Sequence, residues 1–300
     1  MRLLLIGASG FLGSHIKRAA TQAGLEVVTA GRQPSDRPAE HVLVDLAEDG
    51  PAQIETVLAE VHPDAVVNCA GKTSGDPAAL AAGNIDAPAT LVEAMLHSRS
   101  PARLVHLGSA AEYGHGKATV PVRESFRARP TGVYGATKLG GTRAVLVARA
   151  AGLSAVVLRV FNPVGPGAPS NSLPGRAATE IARAIAQGDH VRLGNLNAVR
   201  DFVDAGDVAQ AVLAAVTEPI LEQPLLNVGS GQAVSARELV HTLLTIVGLS
   251  PAIQESEPGS ARSTDVPWQQ ADISAARMAL GWQPRTSLIS SLTCLWETIR

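Results

Sequence analysis

Short apolar runs recur along the first half of the chain, and they restrict its fold more than any other feature. Each run is apolar on consecutive residues, which suits a strand buried on both faces of a parallel sheet. Segments with apolar residues at three- and four-residue spacing separate the runs, so right-handed helical crossovers are expected. The pattern predicts a doubly wound α/β domain. The runs are RLLLIG at 2–7, EVVTAG at 26–31, HVLVDL at 41–46, DAVVNCAG at 64–71, RLVHLGS at 103–109 and SAVVLRVFN at 154–162.

Helical periodicity and turn residues divide the rest of the chain. After Phe161, the segment NPVGPGAPSNSLPG is expected to form a long functional loop rather than a strand. HVRLG and VRDFVD are predicted to be a short strand pair, PLLNVGSG a further strand and turn, and the region containing LGWQP a terminal helical region. The C-terminal third is therefore expected to build a smaller second lobe. Helices are predicted over 13–23, 53–61, 84–96, 134–151, 176–187, 205–216 and 235–247.

Composition argues against several classes of function. A formal net charge of -2 and a pI near 6.4 provide no field that would hold a nucleic acid or an anionic membrane. Cys69 and Cys294 are far apart and the histidines lack paired spacings, so reduced thiols and no bound metal are expected. No apolar run is long enough to span a bilayer, and the chain starts without a basic leader. A cytoplasmic location is the expectation.

Three evenly spaced glycines stand where the first apolar run ends and a helical pattern begins. In a strand-glycine-helix unit, a tight turn, close approach to a pyrophosphate and close helix packing each exclude a Cβ. Gly7, Gly10 and Gly13 suit these three requirements. The start of the helix would present unpaired N–H groups and a partial positive charge to the phosphates. The motif predicts a dinucleotide-binding turn, and the alternative is a tight turn without a ligand.

The end of the second predicted strand bears on the choice of cofactor. A carboxylate there would bind a ribose 2′-OH and select NAD, whereas an arginine would accommodate a 2′-phosphate. The strand ends at Arg32, and Glu26 begins the strand and so lies at the wrong edge. Arg32 therefore favours NADP, with Arg37 a weaker candidate and a solvated surface arginine the alternative. Asp45, after the third strand, is expected to bind the adenine amino group or to cap the next helix.

A tyrosine and a lysine in YGATK provide candidate chemistry. Tyr134 and Lys138 are four residues apart and lie on one face of the predicted helix. Tyrosine, with a pKa near 10, is a poor acid or base at neutral pH, but a nearby ammonium favours the tyrosinate. At roughly 4 Å and an effective dielectric near 20, the attraction is about 4 kcal/mol before desolvation opposes it. Ser109, ending the fifth strand, is expected to hold a carbonyl or alkoxide oxygen. The alternative is a surface tyrosine and lysine.

Seven motifs occur in order along the chain: GASGFLG, GSAAEYG, YGATK, RVFNPVGPG, RDFVDAGDVA, NVGSG and LGWQP. Together they resemble the extended short-chain dehydrogenase/reductases, the NAD-dependent epimerase/dehydratase family that modifies nucleotide sugars, over essentially the whole chain. The resemblance implies an α/β fold with a Rossmann-type doubly wound parallel sheet and a smaller C-terminal α/β substrate domain. The NADP-binding domain is expected to comprise 1–162 with parts of 200–230, and the substrate-binding domain 163–199 and 231–300.

The resemblance also implies roles for individual residues. Ser109, Tyr134 and Lys138 would form the catalytic triad, and a nucleotide sugar would bind in the cleft between the domains. Asn162 and Arg200 fall where members contact the substrate diphosphate, and Arg262 falls in a segment that contacts phosphate or ribose. From the residues alone, Arg200 could equally form a structural ion pair with Asp201 or Asp204. The residues expected to bind the cofactor are Gly7, Ser9, Gly10, Phe11, Leu12, Gly13, Arg32, Asp45, Leu46, Ala70, Tyr134, Lys138 and Phe161.

Departures from the family pattern narrow the expected reaction. Members that dehydrate sugars carry an acid where this chain has Ala111, so dehydration is disfavoured; the adjacent Glu112 is expected to be a surface carboxylate. The motifs most resemble the branch that reduces 4-keto-6-deoxy sugar nucleotides such as GDP-4-keto-6-deoxymannose. Ser263, where that branch usually has proline, and the unusual NCAGKTSG leave the sugar and the base open. His106 is expected to be a hydrogen-bonded core residue.

The sequence thus predicts an NADPH-dependent ketoreductase of a nucleotide-activated deoxysugar, with NAD the less favoured cofactor. A nucleotide-sugar epimerase that retains its cofactor is the main alternative. A reductase of a non-sugar carbonyl and a noncatalytic dinucleotide sensor are further ones. The helices that begin near Asn84 and Tyr134 form a two-fold interface in the resembled family, which implies a homodimer. Gly140 and Gly141 would permit close helix approach there.

Overall fold

A seven-stranded sheet, with every neighbouring pair parallel, forms the centre of the structure. The computed structural model describes residues 1–34, 40–248, 252–255 and 266–299. The strands are β1 (Arg2–Ile6), β2 (Glu26–Gly31), β3 (His41–Leu43), β4 (Ala65–Asn68), β5 (Arg103–Ser109), β6 (Ala155–Val160) and β10 (Leu225–Val228). The strand order β10-β6-β5-β4-β1-β2-β3 confirms the predicted doubly wound α/β fold of Rossmann type.

Helices cover both faces of this sheet because the strands are apolar on both sides. On one face, α1 (Phe11–Gln22) and α7 (Ala205–Thr217) pack on each other and on the sheet. The opposite face is covered by α2 (Pro51–Val61), α4 (Ala87–His97) and α5 (Val133–Ala150). Among the described residues, none of the helices combines the length and the apolar character needed to cross a bilayer.

A separate hydrophobic core lies in the C-terminal part of the chain. It is enclosed by α6 (Leu173–Gln187), α8 (Ala236–Val247) and α10 (Leu288–Glu297). A three-stranded sheet and a two-stranded sheet complete this part of the fold. The first contains β7 (Asn162–Val164), β9 (Val199–Asp204) and β11 (Ala233–Ser235), and the second β8 (Val191–Arg192) and β12 (Ile253–Gln254).

Several predicted elements differ from the structure. The predicted strand pair of HVRLG and VRDFVD is wrong, because β8 pairs with β12 whereas β9 pairs with β7 and β11. The loop predicted after Phe161 begins with strand β7 instead. Only the first residue of LGWQP is helical, at the end of α9 (Ser274–Leu280). That helix was expected in the second lobe, yet Ala276 and the following Trp282 pack into the core of the main sheet.

The helix predicted from Asn84 begins earlier and is interrupted. A short helix α3 (Pro77–Ala81) leads into a π-helical turn at 82–86, and α4 continues from Ala87. The wider turn brings Asn84 inward, where its side chain is 1% exposed. Single π-turns of this kind are frequent at functional sites.

Candidate active site

The chain reverses its direction of winding between β1 and β4, and the candidate site lies at the carboxyl end of these strands. Gly7 follows β1 with φ +85, a conformation that only glycine adopts readily. A Cβ at Gly7 would lie 2.7 Å from the backbone nitrogen of Ala70, which follows β4. A Cβ at Gly13 would overlap the carbonyl oxygen of Gly7. These two glycines are therefore required by the local fold.

Gly10 differs from its two neighbours in the motif. A Cβ there would meet only the Gly7 carbonyl oxygen, at 3.3 Å, so packing within the chain does not forbid a side chain. Gly10 is exposed and is the N-cap of α1, and no side chain caps this helix. The first N–H groups of α1 thus face a surface on which a phosphate could lie. The predicted turn fits a dinucleotide pyrophosphate.

The loop after β7 lies across the start of α1. Gly167 approaches the ring of Phe11, and Nε2 of the buried His15 hydrogen-bonds the carbonyl oxygen of Pro166 at 2.9 Å. Arg18 contacts the other ring nitrogen of His15 at 2.9 Å. The proline-rich segment therefore borders the glycine turn.

The residues predicted to contact the adenosine end have different surroundings. Arg32 is exposed directly after β2, and Ala30 of that strand accepts a hydrogen bond from the Gly7 N–H at 3.0 Å. Asp45 is partly buried, and its Oδ1 accepts from the Ala47 N–H at 3.0 Å, which closes a local turn. The Leu46 side chain is buried in the core. Arg37 lies outside the described residues.

Other predicted cofactor residues are distributed between the turn and the core. Ser9 is exposed, whereas Leu12 packs on the core of the main sheet. Ala70 is partly buried and donates its N–H to Oδ1 of Asn68 at 3.1 Å. The Phe161 ring is fully buried against Tyr113, so it presents no surface to the cleft.

Ser109 ends β5 and caps the short 3₁₀ turn at 110–112. Its Oγ accepts a hydrogen bond from the Ala111 N–H at 3.2 Å, which leaves the hydroxyl hydrogen as a donor. The N-terminus of α5 abuts this turn, because a Cβ at Gly135 would overlap the Ala111 carbonyl oxygen. Tyr134 immediately precedes that contact and is partly buried. The structure therefore brings the element carrying Tyr134 against the turn that holds Ser109.

Lys138 lies one helical turn deeper and is 6% exposed. Its Nζ donates a hydrogen bond to the Leu107 carbonyl oxygen of β5 at 2.6 Å. Burial lowers the pKa of Lys138, and the negative charge of Glu112 opposes that shift. A Cβ at Gly71 would lie 3.9 Å from this Nζ. The ammonium is thus next to the loop after β4, which also borders the glycine turn.

Asn84 joins these parts and was missed by sequence reasoning. Its Oδ1 accepts from the Lys72 N–H at 2.9 Å, and its Nδ2 donates to the Lys72 carbonyl at 2.9 Å and to Oγ1 of Thr137 at 3.1 Å. The side chain fastens the loop after β4 to the helix of Tyr134 and Lys138. The only signal was its place at the start of a predicted helix.

The expectation of a surface carboxylate at Glu112 is wrong. Its side chain is 0% exposed, and its Oε2 forms an ion pair with Nε of Arg159 at 2.7 Å. His106 is buried as predicted, but its expected hydrogen bonding is wrong. Neither ring nitrogen has a partner among the described groups.

The predicted substrate residues lie on the small sheet beside this edge. Asn162 of β7 donates its Nδ2 to the Asp201 carbonyl oxygen of β9 at 2.9 Å. Arg200 is 6% exposed, and burial lowers its pKa to about 10. Its guanidinium donates to the Val199 carbonyl oxygen at 2.8 Å. Among the described residues, the carboxylate of Asp201, its suggested ion-pair partner, accepts from Ser230, Gly231 and Ala271. Asp204 caps α7 instead. Arg262 lies outside the described residues.

The site combines a glycine turn suited to a dinucleotide with a serine, a tyrosine on a helix and a buried lysine. This combination is typical of a class of NAD(P)-dependent α/β enzymes. The chain belongs to the NAD dependent epimerase/dehydratase family, which it matches over residues 3–229. The predicted membership in the extended short-chain dehydrogenase/reductases is thereby confirmed.

Individual relatives share nearly the whole chain. The dTDP-6-deoxy-L-talose 4-dehydrogenase (NAD(P)(+)) of Kitasatospora kifunensis is 38% identical over 301 residues, covering 98% of this chain and 94% of that protein. The structure of MoeE5 in complex with UDP-glucuronic acid and NAD has a TM-score of 0.86 and 29% identity, covering 100% of this chain and 99% of that one. RMD from Pseudomonas aeruginosa complexed with NADPH has a TM-score of 0.79 and 25% identity, covering 99% and 96%.

Proposed function

We propose that the protein is an NADPH-dependent reductase of the 4-keto group of a nucleotide-activated 6-deoxysugar. The supporting observation is that three features lie along the same edge of the sheet: the glycine turn, the Lys138 ammonium and the turn that Ser109 caps. The Kitasatospora relative is named as a dehydrogenase acting at position 4 of a dTDP-linked 6-deoxysugar. Oxidation at that position is the reverse of the proposed reduction.

The chain's own residues account for the oxygen and proton chemistry. A bound dinucleotide supplies the hydride. The Ser109 hydroxyl donates a hydrogen bond to the keto oxygen, since its Oγ already accepts from Ala111. Tyr134 donates a proton to that oxygen as negative charge develops on it. The Lys138 ammonium has N–H donors besides the one bonded to Leu107, and with them it would hold the ribose of a bound cofactor; its charge favours ionised Tyr134.

Binding of the nucleotide sugar is assigned to the small sheet and the second lobe. The Asn162 amide and the Arg200 guanidinium lie on neighbouring strands, at the side where the phosphates would arrive. A buried guanidinium suits a diphosphate because the two groups carry opposite charges and the paired N–H donors of arginine match the spacing of phosphate oxygens. Arg262 is retained as a third anion ligand on the resemblance alone.

Arg32 supports NADPH over NADH. The exposed side chain follows β2, and the strand is hydrogen-bonded to the glycine turn through Ala30 and Gly7. An arginine at this place suits a 2′-phosphate. RMD was solved with NADPH, MoeE5 with NAD, and the Kitasatospora relative's name admits both.

An epimerase is the second candidate. The family description and the NAD-bound neighbour favour it, because an epimerase oxidises and re-reduces its substrate on a retained NAD. The purified protein would then carry NAD and need no added reductant.

A binding screen tests the assignment. NADPH and NADH are each titrated into the purified protein, alone and with dTDP-, GDP- and UDP-linked sugars. The proposal expects NADPH to bind more tightly, and the Arg32→Ala variant to lose at least about tenfold of this preference, equivalent to about 1.4 kcal/mol. Arg277→Ala, an exposed change on α9, serves as the control. Equal binding of the two cofactors by the unaltered protein would contradict the NADPH assignment, and copurified NAD would favour the epimerase.

A further inference from the structure

A buried carboxylate beneath the candidate catalytic serine is not used by the proposed reaction. Glu112 is 0% exposed, yet it lies only three residues after Ser109. Its Oε1 accepts the Ser109 N–H at 2.7 Å and the Thr142 hydroxyl at 2.9 Å. Its Oε2 accepts from Nε of Arg159 at 2.7 Å. A buried charge is costly, so a carboxylate kept here with three donors invites a functional explanation.

Arg159, the ion-pair partner of this carboxylate, is held between Glu112 and Tyr113. Arg159 belongs to β6, is 4% exposed, and lies over the Tyr113 ring at 4.4 Å from its centroid. Burial opposes the charge on Arg159, but the charges and hydrogen bonds of Glu112 and Tyr113 together outweigh it, so the pKa of Arg159 is raised. The Tyr113 hydroxyl donates to Oδ1 of Asn227 at 2.6 Å. The carboxylate is therefore held by the strand next to β5 and, through Tyr113, by β10.

The geometry at Ser109 shows what this arrangement controls. The Ser109 N–H is bound by Glu112, while its Oγ accepts from Ala111 within the same capping box. On the next residue, the carbonyl oxygen of Ala110 accepts from Nε2 of the buried Gln269 at 2.9 Å. The main chain at the serine is thus fixed by two side chains, Glu112 from the turn that Ser109 caps and Gln269 from the C-terminal part of the chain.

We infer that Glu112 is a positioning residue, which holds the Ser109 backbone so that the serine hydroxyl points at the reacting oxygen. This inference rests on the proposed role of Ser109. The carboxylate touches neither cofactor nor substrate and acts only through the serine. It accepts the Ser109 N–H on one oxygen while Arg159 holds the other, so the ion pair sets the position at which the serine is fixed.

The first test measures the main chain directly, without turnover. In the Glu112→Leu/Arg159→Met variant both buried charges are removed together, and such replacements of buried ion pairs are often tolerated. Hydrogen exchange followed by mass spectrometry is expected to be at least about tenfold faster at the Ser109 amide than in the unaltered protein, because the amide has lost its acceptor. Unchanged protection at Ser109 would overturn the inference.

A second capping box in the chain provides a matched control. Ser235 and Glu238 at the start of α8 have the same spacing and the same bond from the serine N–H to the glutamate carboxylate, here to Oε2 at 2.8 Å. Glu238→Leu is expected to accelerate exchange at Ser235 and to leave Ser109 protected. If the double variant fails to fold, Glu112→Asp keeps the charge but shortens the reach. It is then expected to accelerate exchange at Ser109, and unchanged protection there overturns the inference.

The second test separates positioning from a purely structural role. The Glu112→Leu/Arg159→Met variant, or Glu112→Asp if the double variant fails to fold, is expected to lower kcat by about 10- to 100-fold, because a misplaced catalytic group costs that much. Its cofactor binding is expected to be unchanged. In a Ser109→Ala background the same change is expected to lower kcat less than about twofold, because effects through a shared group are not additive. Equal losses in both backgrounds would overturn the inference. If Ser109→Ala alone leaves kcat unchanged, the proposed role of Ser109 fails instead, and the exchange data still decide whether Glu112 fixes its backbone.

Discussion

At the scale of single residues, the candidate site depends on buried polar side chains. Lys138 donates to the Leu107 carbonyl oxygen, and its pKa is lowered by burial. Its position beside the β4 loop and on the helix of Tyr134 is consistent with the joint role proposed for the two side chains.

The proton donor is tested by Tyr134→Phe. This variant is expected to lose roughly 10²–10⁴-fold in kcat because general acid catalysis contributes that much. Cofactor affinity should change by less than about threefold, since the main proposed contacts of the dinucleotide are the backbone turn and Arg32. Stopped-flow turnover and fluorescence titration of NADPH measure the two quantities. Wild-type kcat in Tyr134→Phe would remove the residue from the chemistry.

A buried histidine predicts how stability depends on pH. Burial, aided by the charge of Lys138, lowers the pKa of His106 well below 6.5. Below pH 6.5 the unfolded chain therefore binds a proton that the folded chain does not, so the stability contribution is present above this pH and is lost as pH falls. Each group of this kind changes the free energy of unfolding by about 1.4 kcal/mol per pH unit.

Denaturant unfolding of His106→Leu between pH 7.5 and 5.5 tests this linkage. The variant is expected to lose less stability on acidification than the unaltered protein. Exposed His241→Gln is the control and should retain the original pH dependence. Parallel pH curves for His106→Leu and the unaltered protein would show that His106 does not cause the loss.

Some residues of the candidate site could be predicted from the sequence, and others could not. Gly7 and Gly13 could be predicted because strand, turn and helix adjoin in sequence and each step excludes a Cβ. The burial of Glu112 could not be predicted, because it depends on Arg159, which lies in β6 and is distant in sequence. A charged residue in a short motif is most often exposed, and only the tertiary partner reverses that expectation.

At the scale of elements, strands were predicted more reliably than their pairing. The apolar runs of β1, β2 and β5 identify buried strands by local composition, and their observed bounds are close to the predicted ranges. The partner of β8 is β12, which is distant in sequence, so no local pattern identifies it. The π-turn at 82–86 likewise depends on packing, since Gly141 allows the Asn84 backbone to approach α5.

Gly140 and Gly141 have a role inside the chain. A Cβ at Gly140 would lie 2.8 Å from the Ile85 side chain, and one at Gly141 would overlap the Asn84 carbonyl oxygen. The close helix approach they permit is therefore between α5 and the π-turn of the same molecule. This contact places Asn84 against the helix of Tyr134 and Lys138.

The helix start at the glycine turn offers a test with a matched control. Gly10 and Gly50 are N-caps with nearly the same backbone angles, φ -75 and ψ 170 against φ -74 and ψ 171. Gly10→Ala is expected to weaken NADPH binding at least about tenfold, because the added methyl occupies the phosphate surface. Gly50→Ala meets open space and should leave binding unchanged. Equal affinities for both variants, measured by calorimetry, would move the pyrophosphate elsewhere.

At the scale of the whole molecule, an apolar groove of about 520 Å³ lies between α4 and α5. It is lined by Val92, Leu96, Ala144, Val147, Ala148 and Ala151, together with Glu93, His97 and Arg143. Val147 is 70% exposed there. Exposed apolar surface of this kind is typical of an interaction site, which supports the proposed homodimer through these helices.

Sedimentation at micromolar concentration tests the dimer. Val147→Glu is expected to shift the protein to monomer, because a charge would be buried at the centre of the interface. Met278→Glu changes a side chain that is 80% exposed on α9, away from the groove, and should remain dimeric. A monomer before any substitution would refute the proposed assembly.

The central claim is that the sheet edge carries a reductase of nucleotide-linked 4-keto sugars. The most direct measurement mixes the protein with NADPH and a dTDP- or GDP-linked 4-keto-6-deoxyhexose and follows both the cofactor and the sugar. One NADPH is expected to be oxidised for each keto group converted to a hydroxyl. A sugar that changes configuration with no net oxidation of NADPH would contradict it.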